Sequence, residues 1–442
     1  MTKHRVKVAI VGGGILGLVA AYRILKDRED NAEVTLFEKE KFLGGQASCV
    51  DIQGCKVEKL YHHFFSGDDD LLSLVRELGL EKRIIWGNTK IGVFSNGKIY
   101  PFSTPGEMLR LPLLNIISRA RFAAFSLYLK VIRFKGTFDK VSAYEWINKY
   151  YGKQVYKYIW GPLLEGKFHK FYRNVSMVWF HARVHKRSNS RSGVEEQLWY
   201  LDGGMDLLIK ELENGFREMG GKVLVSSEVE RITYVKSLDC VEISYSGIVS
   251  SFDEVICAVS SSVFSSLVRN AVDKIYERRL KSIDYVSVLC LLFTSRKDLT
   301  EYYWINMCDK EMPFSVFIQH TNFIDKSKYK GLNVYYVGMY LDSKSGLYGK
   351  EDHIIFSKIM SSITKMFPDF CESDVVDYNV SKFIDAQHVV DKGYSDKLSV
   401  YNVPLPHVYL VNFAMGVGTN RDVNNAVKNG MFASKVIFGN QV

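Results

Sequence analysis

Residues Val6–Leu18 read Val-Lys-Val-Ala-Ile-Val-Gly-Gly-Gly-Ile-Leu-Gly-Leu, and this stretch decides the fold. An apolar run precedes the glycines and a helical pattern follows them, which predicts a buried strand, a tight turn and a helix. In such a motif the first glycine makes the turn, the second lets the backbone approach a diphosphate, and the third lets the helix pack on the sheet. The sequence therefore predicts a dinucleotide site built on Gly12, Gly14 and Gly17.

The next apolar strand, Val34–Glu38, ends in a carboxylate that supports this interpretation. Glu38 lies 21 residues beyond Gly17, close to the spacing of about 20 at which an acid binds the adenosine ribose. A carboxylate at this position disfavours a 2′-phosphate. Glycine turns also occur for structural reasons alone, but the strand, the helix and the acid together favour a cofactor. We predict cofactor contacts from Gly12, Gly13, Gly14, Ile15, Leu16, Gly17, Glu38 and Lys39.

The N-terminal stretch also has features of a secretory signal peptide, because basic residues precede the apolar run Val8–Ala21. Glycines interrupt that run, however, and charged residues follow directly at 23–28. No other uncharged run approaches the length of about 20 residues that spans a bilayer. The seven cysteines form no Cys-x-x-Cys pair, which fits a reducing compartment and gives no sign of a metal site. We therefore expect a cytoplasmic protein.

The chain has 442 residues, of which 47% are hydrophobic, and this is enough for two domains around a large core. The predicted fold class is α/β, with a Rossmann-like cofactor-binding domain interleaved with an α+β substrate domain. We assign residues 1–90, 197–262 and 384–442 to the cofactor-binding domain. Residues 91–196 are assigned to a helical insert and residues 263–383 to an antiparallel sheet of the substrate domain.

Local signals place the main elements. Asn96-Gly97 is typical of a type I′ turn, so Ile91–Tyr100 is predicted to be a hairpin, and the pattern from Glu107 to about Tyr172 is helical. Short strands are predicted at Lys222–Val225, Val229–Ile232 and Asp253–Ala258, all returning the chain to the first sheet. A closing helix is predicted at Asp422–Phe438.

Positive charge is concentrated in the predicted helical insert. Residues 110–191 contain 17 Lys and Arg but only three acids, a net charge of +14, whereas the whole chain carries +9. Such a segment attracts an anionic membrane surface or a diphosphate-bearing substrate. The alternative interpretation is a solvated helical face. We expect no nucleic-acid partner, because no recognition motif accompanies the charge.

These motifs, in this order, resemble the flavin amine oxidase superfamily, and within it the bacterial protoporphyrinogen oxidase and phytoene desaturase-like enzymes. The resemblance implies that the first glycine motif and Glu38 hold FAD, and that the second glycine turn, Gly44-Gly45, lies along the diphosphate and the ribityl chain. It also implies an adenine contact from the backbone at Val229 and a flavin contact from Asn424 and Asn425. An arginine usually follows the double glycine in that family; Gln46 stands here and is included among the predicted cofactor contacts.

Part of the chain also resembles UDP-galactopyranose mutase. Tyr61–Phe65 is similar to its Gly-Pro-His-Ile-Phe segment, although the Gly-Pro pair is absent. Tyr144–Trp146 and Tyr156–Lys167 resemble parts of its helical domain. This second resemblance implies an alternative function, a non-redox mutase that uses reduced flavin on a nucleotide sugar. A flavin-binding scaffold without turnover is a third interpretation.

Two groups of residues are candidates for chemistry on the substrate. His63 is predicted to donate a hydrogen bond beside the flavin and His62 to accept a proton, because imidazole titrates near neutrality; packing among aromatic rings is the alternative. Arg183, Arg187 and Arg191 are predicted to bind a substrate diphosphate, since guanidinium groups match phosphate oxygens. We expect an FAD-dependent oxidoreductase acting on a small, diphosphate-bearing or lipid-like molecule, and peripheral contact with the inner membrane face.

Overall fold

The N-terminal strand lies in the middle of a parallel sheet, as its sequence predicts. The structure is a computed structural model that describes residues 5–28, 31–132, 136–192, 195–418 and 421–438. In the strand Val6–Val11, the last four residues are buried. Both faces of this strand are therefore covered, as its unbroken apolar run requires.

The strands have the following bounds: β1 Val6–Val11, β2 Ala32–Phe37, β3 Cys49–Ile52, β4 Cys55–Glu58, β5 Phe64–Phe65, β6 Ile84–Asn88, β7 Ile91–Ser95, β8 Lys98–Pro101, β9 Arg191–Ser192, β10 Glu195–Leu201, β11 Lys222–Leu224, β12 Val229–Val235, β13 Cys240–Tyr245, β14 Ile248–Phe252, β15 Glu254–Cys257, β16 Tyr285–Ser295, β17 Trp304–Met307, β18 Val316–Gln319, β19 Asn333–Leu341, β20 Val375–His388 and β21 Val408–Leu410.

The α-helices have the following bounds: α1 Ile15–Arg28, α2 Asp69–Glu77, α3 Pro105–Arg110, α4 Ile116–Val131, α5 Ala143–Tyr150, α6 Lys153–Val155, α7 Gly161–Phe168, α8 Met177–Asn189, α9 Gly204–Glu218, α10 Ser261–Leu267, α11 Lys274–Leu280, α12 Asp352–Met366 and α13 Val423–Phe438. A π-helical turn, Tyr156–Trp160, joins α6 to α7.

The first sheet has the strand order β11-β2-β1-β15-β21, and all of its pairs are parallel. Helices α1, α9 and α13 share one buried apolar cluster with one face of this sheet. On the other face, Val11 and Phe37 pack with the three-stranded antiparallel sheet β12-β13-β14. This is the α/β arrangement that the glycine motif predicted, with the carboxyl ends of the strands left free for a ligand.

The second large sheet has seven strands in the order β20-β16-β19-β18-β17-β7-β8. Its pairs are antiparallel except β17 with β7, which is parallel. One face is covered by α12, whose residues Ile355, Ile359 and Ile363 are completely buried. The opposite face contributes to the cavity described below, so the sheet separates a packed core from a ligand-accessible wall.

Three details differ from the sequence-based expectations. The strand that begins at Val229 does not return to the first sheet, because it pairs with β13 in the separate three-stranded sheet. The Asn96-Gly97 hairpin forms as predicted, with positive φ at both turn residues. It nevertheless belongs to the edge of the seven-stranded sheet rather than to the helices that follow it. Strand β20 likewise runs to His388, across the domain boundary that we predicted at 383.

The basic segment, residues 110–191, folds into four main helices and their connections. Helices α4, α5, α7 and α8 pack through aromatic side chains such as Phe122, Trp146, Phe168 and Trp179. Within the predicted helical pattern, residues 116–131 form α4, and residues 133–135 lie outside the described residues. Among the helices in the described ranges, none is both long and apolar enough to cross a membrane.

Candidate functional site

A cavity of about 1150 Å³ runs from the glycine loop after β1 to the open face of the seven-stranded sheet. Its volume exceeds the roughly 300–1,000 Å³ of typical small-molecule pockets. The wall is made by the two glycine turns, the aromatic segment Tyr61–Phe65, helices α7 and α8, and the segment before α13. The space is therefore large enough for an extended cofactor together with a second molecule.

The first glycine turn is shaped by contacts that exclude side chains. Gly12 has a φ of +107°, and a Cβ on Gly17 would lie 1.9 Å from the carbonyl oxygen of Gly12. A Cβ on Gly14, in contrast, would have no protein atom within 4 Å. The loop thus needs glycine at 12 and 17 to close on itself, whereas Gly14 faces open space at the start of α1.

Glu38 is buried behind this turn and fixes it through backbone hydrogen bonds. Its Oε2 accepts from the Gly13 amide at 2.7 Å, and its Oε1 accepts from the Glu40 amide at 2.9 Å. Each carboxylate oxygen keeps a further lone pair for a hydroxyl group, since an ionised carboxylate has about four acceptor sites. The neighbouring Lys39 is exposed and lies on the cavity rim.

The second glycine turn closes over the first. The Gly44 amide donates to the Gly13 carbonyl at 2.8 Å, and a Cβ on Gly45 would lie 3.1 Å from the Cα of Gly14. Two adjacent backbone turns and the first turn of α1 therefore offer amide groups at the same end of the cavity. This arrangement fits the diphosphate of a dinucleotide, because backbone amides and a helix N-terminus attract anions.

Arg421 lies beside Gln46, and Gln46 occupies the position where the family usually has an arginine. Its Nη1 donates to Gln46 Oε1 at 3.0 Å, and both residues lie on the cavity wall. The positive charge that the Gly-Gly-Gln sequence lacks is thus supplied from the segment before α13. Sequence reasoning missed Arg421 because 375 residues separate it from Gln46.

His62 and His63 both line the cavity. The Nδ1 of His62 lies 2.7 Å from the Leu60 carbonyl oxygen; since a carbonyl only accepts, Nδ1 carries the proton and Nε2 is an acceptor. Burial, and then the charge of Arg421, lowers the pKa of His62 to about 4. Burial also holds the pKa of His63 well below its ordinary value. Both imidazoles are therefore neutral at physiological pH.

His63 is held among aromatic rings. Its Nδ1 lies 3.1 Å from the Tyr303 hydroxyl, and its ring contacts Trp304 and Phe65 edge to face. The aromatic packing that we weighed as an alternative is thus present together with exposure to the cavity. The donor role of His63 and the proton-acceptor role of His62 stay predictions.

The arginines predicted to bind a diphosphate have different surroundings. Arg183 and Arg187 lie on the same side of α8 and both line the cavity. Arg187 forms an ion pair with Glu196 at 3.6 Å, whereas Arg183 has no carboxylate within ion-pair distance in the described part of the chain. Arg191 forms the short strand β9, and its side chain lies outside the described residues. The three side chains are thus not equivalent.

Two further residues of the cavity wall were not singled out by the sequence. Lys167 on α7 is 8% exposed, and its ammonium lies 5.1 Å from the ring centre of Tyr340 on β19. Burial lowers the pKa of Lys167 to about 8. Lys167 is one of 17 basic residues in its segment, and Tyr340 lies within a β-strand, so neither carried a sequence signal.

The predicted contacts near the C-terminus and at Val229 have mixed positions. Val229 lies on the cavity wall, but Asn424 and Asn425 do not line it. The Oδ1 of Asn424 accepts from the Leu71 amide of α2 at 2.9 Å, and the Asn425 side chain donates to Asp422 at 2.9 Å. Asn424 thus joins the start of α13 to α2, the Asn425 bond is local to the start of α13, and Val423 lines the cavity at this point. The cofactor contacts of the two asparagines stay predictions.

The parallel sheet, the paired glycine turns and the second sheet across the cavity form the arrangement of a dinucleotide-binding protein. The family model described as flavin containing amine oxidoreductase matches residues 17–437. The chain belongs to this family.

Individual curated relatives match a smaller part of the chain than the family model does. Coproporphyrinogen III oxidase of Bacillus subtilis is 29% identical over 182 residues, which are 38% of this chain and 37% of that protein. The curated relatives are matched over only 13% to 37% of their own lengths.

The solved structures are similar over nearly the whole chain. A proposed protoporphyrinogen oxidase from Exiguobacterium sp. 255-15 has a TM-score of 0.80 at 16% identity, covering 99% of this chain and 100% of that one. Reduced UDP-galactopyranose mutase has a TM-score of 0.75 at 15% identity, covering 99% and 96%. At these identities the likeness is one of fold, and both families that the sequence resembles share it.

Proposed function

We propose that this protein binds FAD without a covalent bond and oxidises an organic substrate by hydride transfer to the flavin. The observation that carries the proposal is the continuity of the cavity, which joins the glycine turns to the open face of the seven-stranded sheet. The adenosine diphosphate half would lie against Gly14, Gly45 and Glu38. The remaining space, toward Tyr61 and Lys167, would take the substrate.

The bound flavin would supply the two-electron chemistry, accepting a hydride from a substrate carbon. The chain's own task is then to position that carbon and to exclude water. Tyr61 and Trp304, whose ring centres lie 5.2 Å apart, form an apolar wall. His62, whose Nδ1 lies 2.7 Å from the Leu60 carbonyl oxygen, is the proposed acceptor of the proton that leaves the substrate with the hydride; because burial lowers its pKa to about 4, it would pass this proton on rather than hold it. Dioxygen or a quinone would take the electrons from the flavin afterwards.

The cofactor proposal is tested on the protein as purified. It should be yellow, and acid treatment should release FAD identified by chromatography. Release of FMN or a nicotinamide, or a colourless protein that ignores added FAD, would contradict the proposal.

The non-redox alternative is kept because similarity of fold includes a mutase. The two reactions leave the flavin in opposite states: an oxidation reduces it, whereas a mutase needs it reduced beforehand and returns it reduced. Candidate substrates are therefore mixed with the oxidised holoprotein without oxygen. Bleaching that oxygen or a quinone reverses supports oxidation. Isomerisation of a nucleotide sugar that occurs only after chemical reduction, without an acceptor, would replace the oxidase proposal.

We also propose that α4 contacts an anionic membrane surface. Its exposed side bears a continuous apolar stripe, in which Ile116 is 81%, Leu127 is 62% and Val131 is 73% exposed. Ala120, Ala123 and Ala124 continue the same stripe. Exposed cations of the same segment, including Lys130 and Lys149, favour anionic lipids as the occupant.

A further inference from the structure

Two cations of the helical segment, Lys167 on α7 and Arg183 on α8, face the substrate end of the cavity. Both flank the buried ring of Trp179, with the Lys167 ammonium 5.3 Å and the Arg183 guanidinium 5.9 Å from its centre. The indole fixes the two charges in the same neighbourhood through cation–π contacts. They belong to different helices, so the tertiary fold brings them together.

Two other cations on α8 are paired with carboxylates, whereas, in the described part of the chain, Lys167 and Arg183 are not. Lys186 forms ion pairs with Asp68 at 2.7 Å and Asp422 at 2.8 Å, and Arg187 pairs with Glu196. Within the described ranges, no carboxylate lies within 4.0 Å of Lys167 or Arg183. A buried charge without a partner is costly, and a ligand of opposite charge removes that cost.

Tyr340 adds a hydrogen-bonding group to the same place. Its ring centre lies 5.1 Å from the Lys167 ammonium, and its side chain lines the same cavity. Burial alone would raise the pKa of Tyr340, but the charges of Lys167, Arg421 and Arg183 outweigh burial and lower the pKa to about 8. The pKa of this phenol is thus lowered by positive charges, in agreement with the absence of a carboxylate partner for Lys167 and Arg183 in the described ranges.

We infer that Lys167 and Arg183, assisted by Tyr340, bind an anionic oxygen group of the substrate, a carboxylate or a phosphate. This inference rests on the proposed function, because it places the anion at the substrate end of the same cavity. It also divides the predicted arginine cluster, since Arg183 binds the anion while Arg187 is held by Glu196. A positively charged amine would be repelled at this end of the site.

The test uses the FAD-loaded protein and simple probes. Inorganic pyrophosphate and glutarate represent the phosphate and carboxylate forms of the anion, and 1,4-diaminobutane is the cationic counterpart. Binding is followed by calorimetry and by changes in the visible spectrum of the flavin. We expect at least one anion to bind and the diamine not to bind. The preferred anion identifies which oxygen group the site takes.

Five variants assign the binding to the two side chains. Lys167→Gln and Arg183→Gln should each weaken anion binding at least tenfold, and Lys167→Arg should recover most of it. Lys149→Gln and Arg110→Gln remove the same charges from exposed positions of the same segment and should change binding less than twofold.

Failure of this inference is distinguishable from failure of the proposed function. If the purified protein contains no FAD, the proposed function fails first. If it contains FAD but binds neither anion, or if all four charge-removing variants weaken binding equally, the anion site is wrong while the flavin site stands. Cofactor content measured in every variant separates these results.

Discussion

The two ends of the cavity attract anions in different ways. At the glycine end the donors are backbone amides and the start of α1, and the one buried acid, Glu38, is itself held by two amides. At the other end the donors are the side chains of Lys167 and Arg183, without carboxylate partners in the described part of the chain. A site built from backbone needs glycines at fixed spacing, whereas a site built from side chains needs only a fold that brings them together.

The largest effect is expected at the glycine end. Gly17→Ala would place a Cβ 1.9 Å from the Gly12 carbonyl oxygen, so the first turn of α1 has to move from β1. We expect a loss of about 3 kcal/mol in the free energy of unfolding, measured by denaturant titration of the apoprotein, together with loss of bound FAD.

Gly14→Ala sharpens this result, because its Cβ would meet no protein atom within 4 Å. The free energy of unfolding of the apoprotein should stay within about 0.5 kcal/mol of the parent's. FAD affinity should fall at least tenfold, because the methyl group enters the space proposed for the diphosphate. Unchanged FAD affinity would show that the cofactor does not pass Gly14.

The next effect concerns Glu38. Replacing it with alanine removes the acceptor for the Gly13 amide and the proposed partner of the ribose hydroxyl. A hydrogen bond to a charged group contributes about 1.5–3 kcal/mol, so we expect FAD affinity to fall by about ten- to hundredfold in equilibrium dialysis. Glu40→Ala, which removes a neighbouring exposed carboxylate, is the control. Equal losses in the two variants would make the effect one of general charge.

The same contrast explains what the sequence could predict. The spacing of Gly12, Gly14, Gly17 and Glu38 is local, and the strand, the turn and the helix all form where the pattern placed them. The family and the fold class followed from that pattern. Arg421 and Tyr340 could not be predicted as wall residues, because each reaches the cavity only through sheet and helix packing between residues distant in sequence.

The course of single strands was also beyond the sequence. Val229–Val235 and Lys222–Leu224 have similar apolar patterns, yet only the second joins the parallel sheet. Pairing partners depend on which neighbouring edge is free, and the alternation of apolar residues does not encode that choice.

Anion binding at the cation end should weaken above pH 8. Lys167 and Tyr340 each have a pKa near 8; above it the ammonium becomes neutral and the phenol becomes negative, so both changes oppose an anion. The other groups facing Lys167 are Arg183, with a pKa of about 10, His388, with a pKa of about 3, and Arg421. Neither Arg183 nor His388 changes charge between pH 7 and 9.

The affinity for the anion should fall by about tenfold per pH unit for each proton lost. Calorimetry at pH 7 and pH 9 measures this fall. In the Lys167→Arg, Tyr340→Phe double variant, affinity should stay nearly constant over this range. A double variant with the parent's pH dependence would place the titrating group elsewhere.

The smallest effect is expected on the outer surface, where α4 exposes its apolar stripe. Membrane binding through this helix has two contributions. Exposed apolar side chains such as Leu127 become buried in the lipid, and each nearby cation attracts anionic lipids with about 1 kcal/mol. Leu127→Ser should therefore weaken binding to phosphatidylserine-containing vesicles by about 1 kcal/mol, or roughly fivefold in flotation assays. Added salt should weaken binding further, because it screens the attraction between the cations and the anionic lipids.

Val249→Ser, which removes a side chain that is 58% exposed on β14, is the matched control. If the two variants bind alike, or if neutral and anionic vesicles are bound equally, the stripe is not the contact and the basic segment is a solvated face.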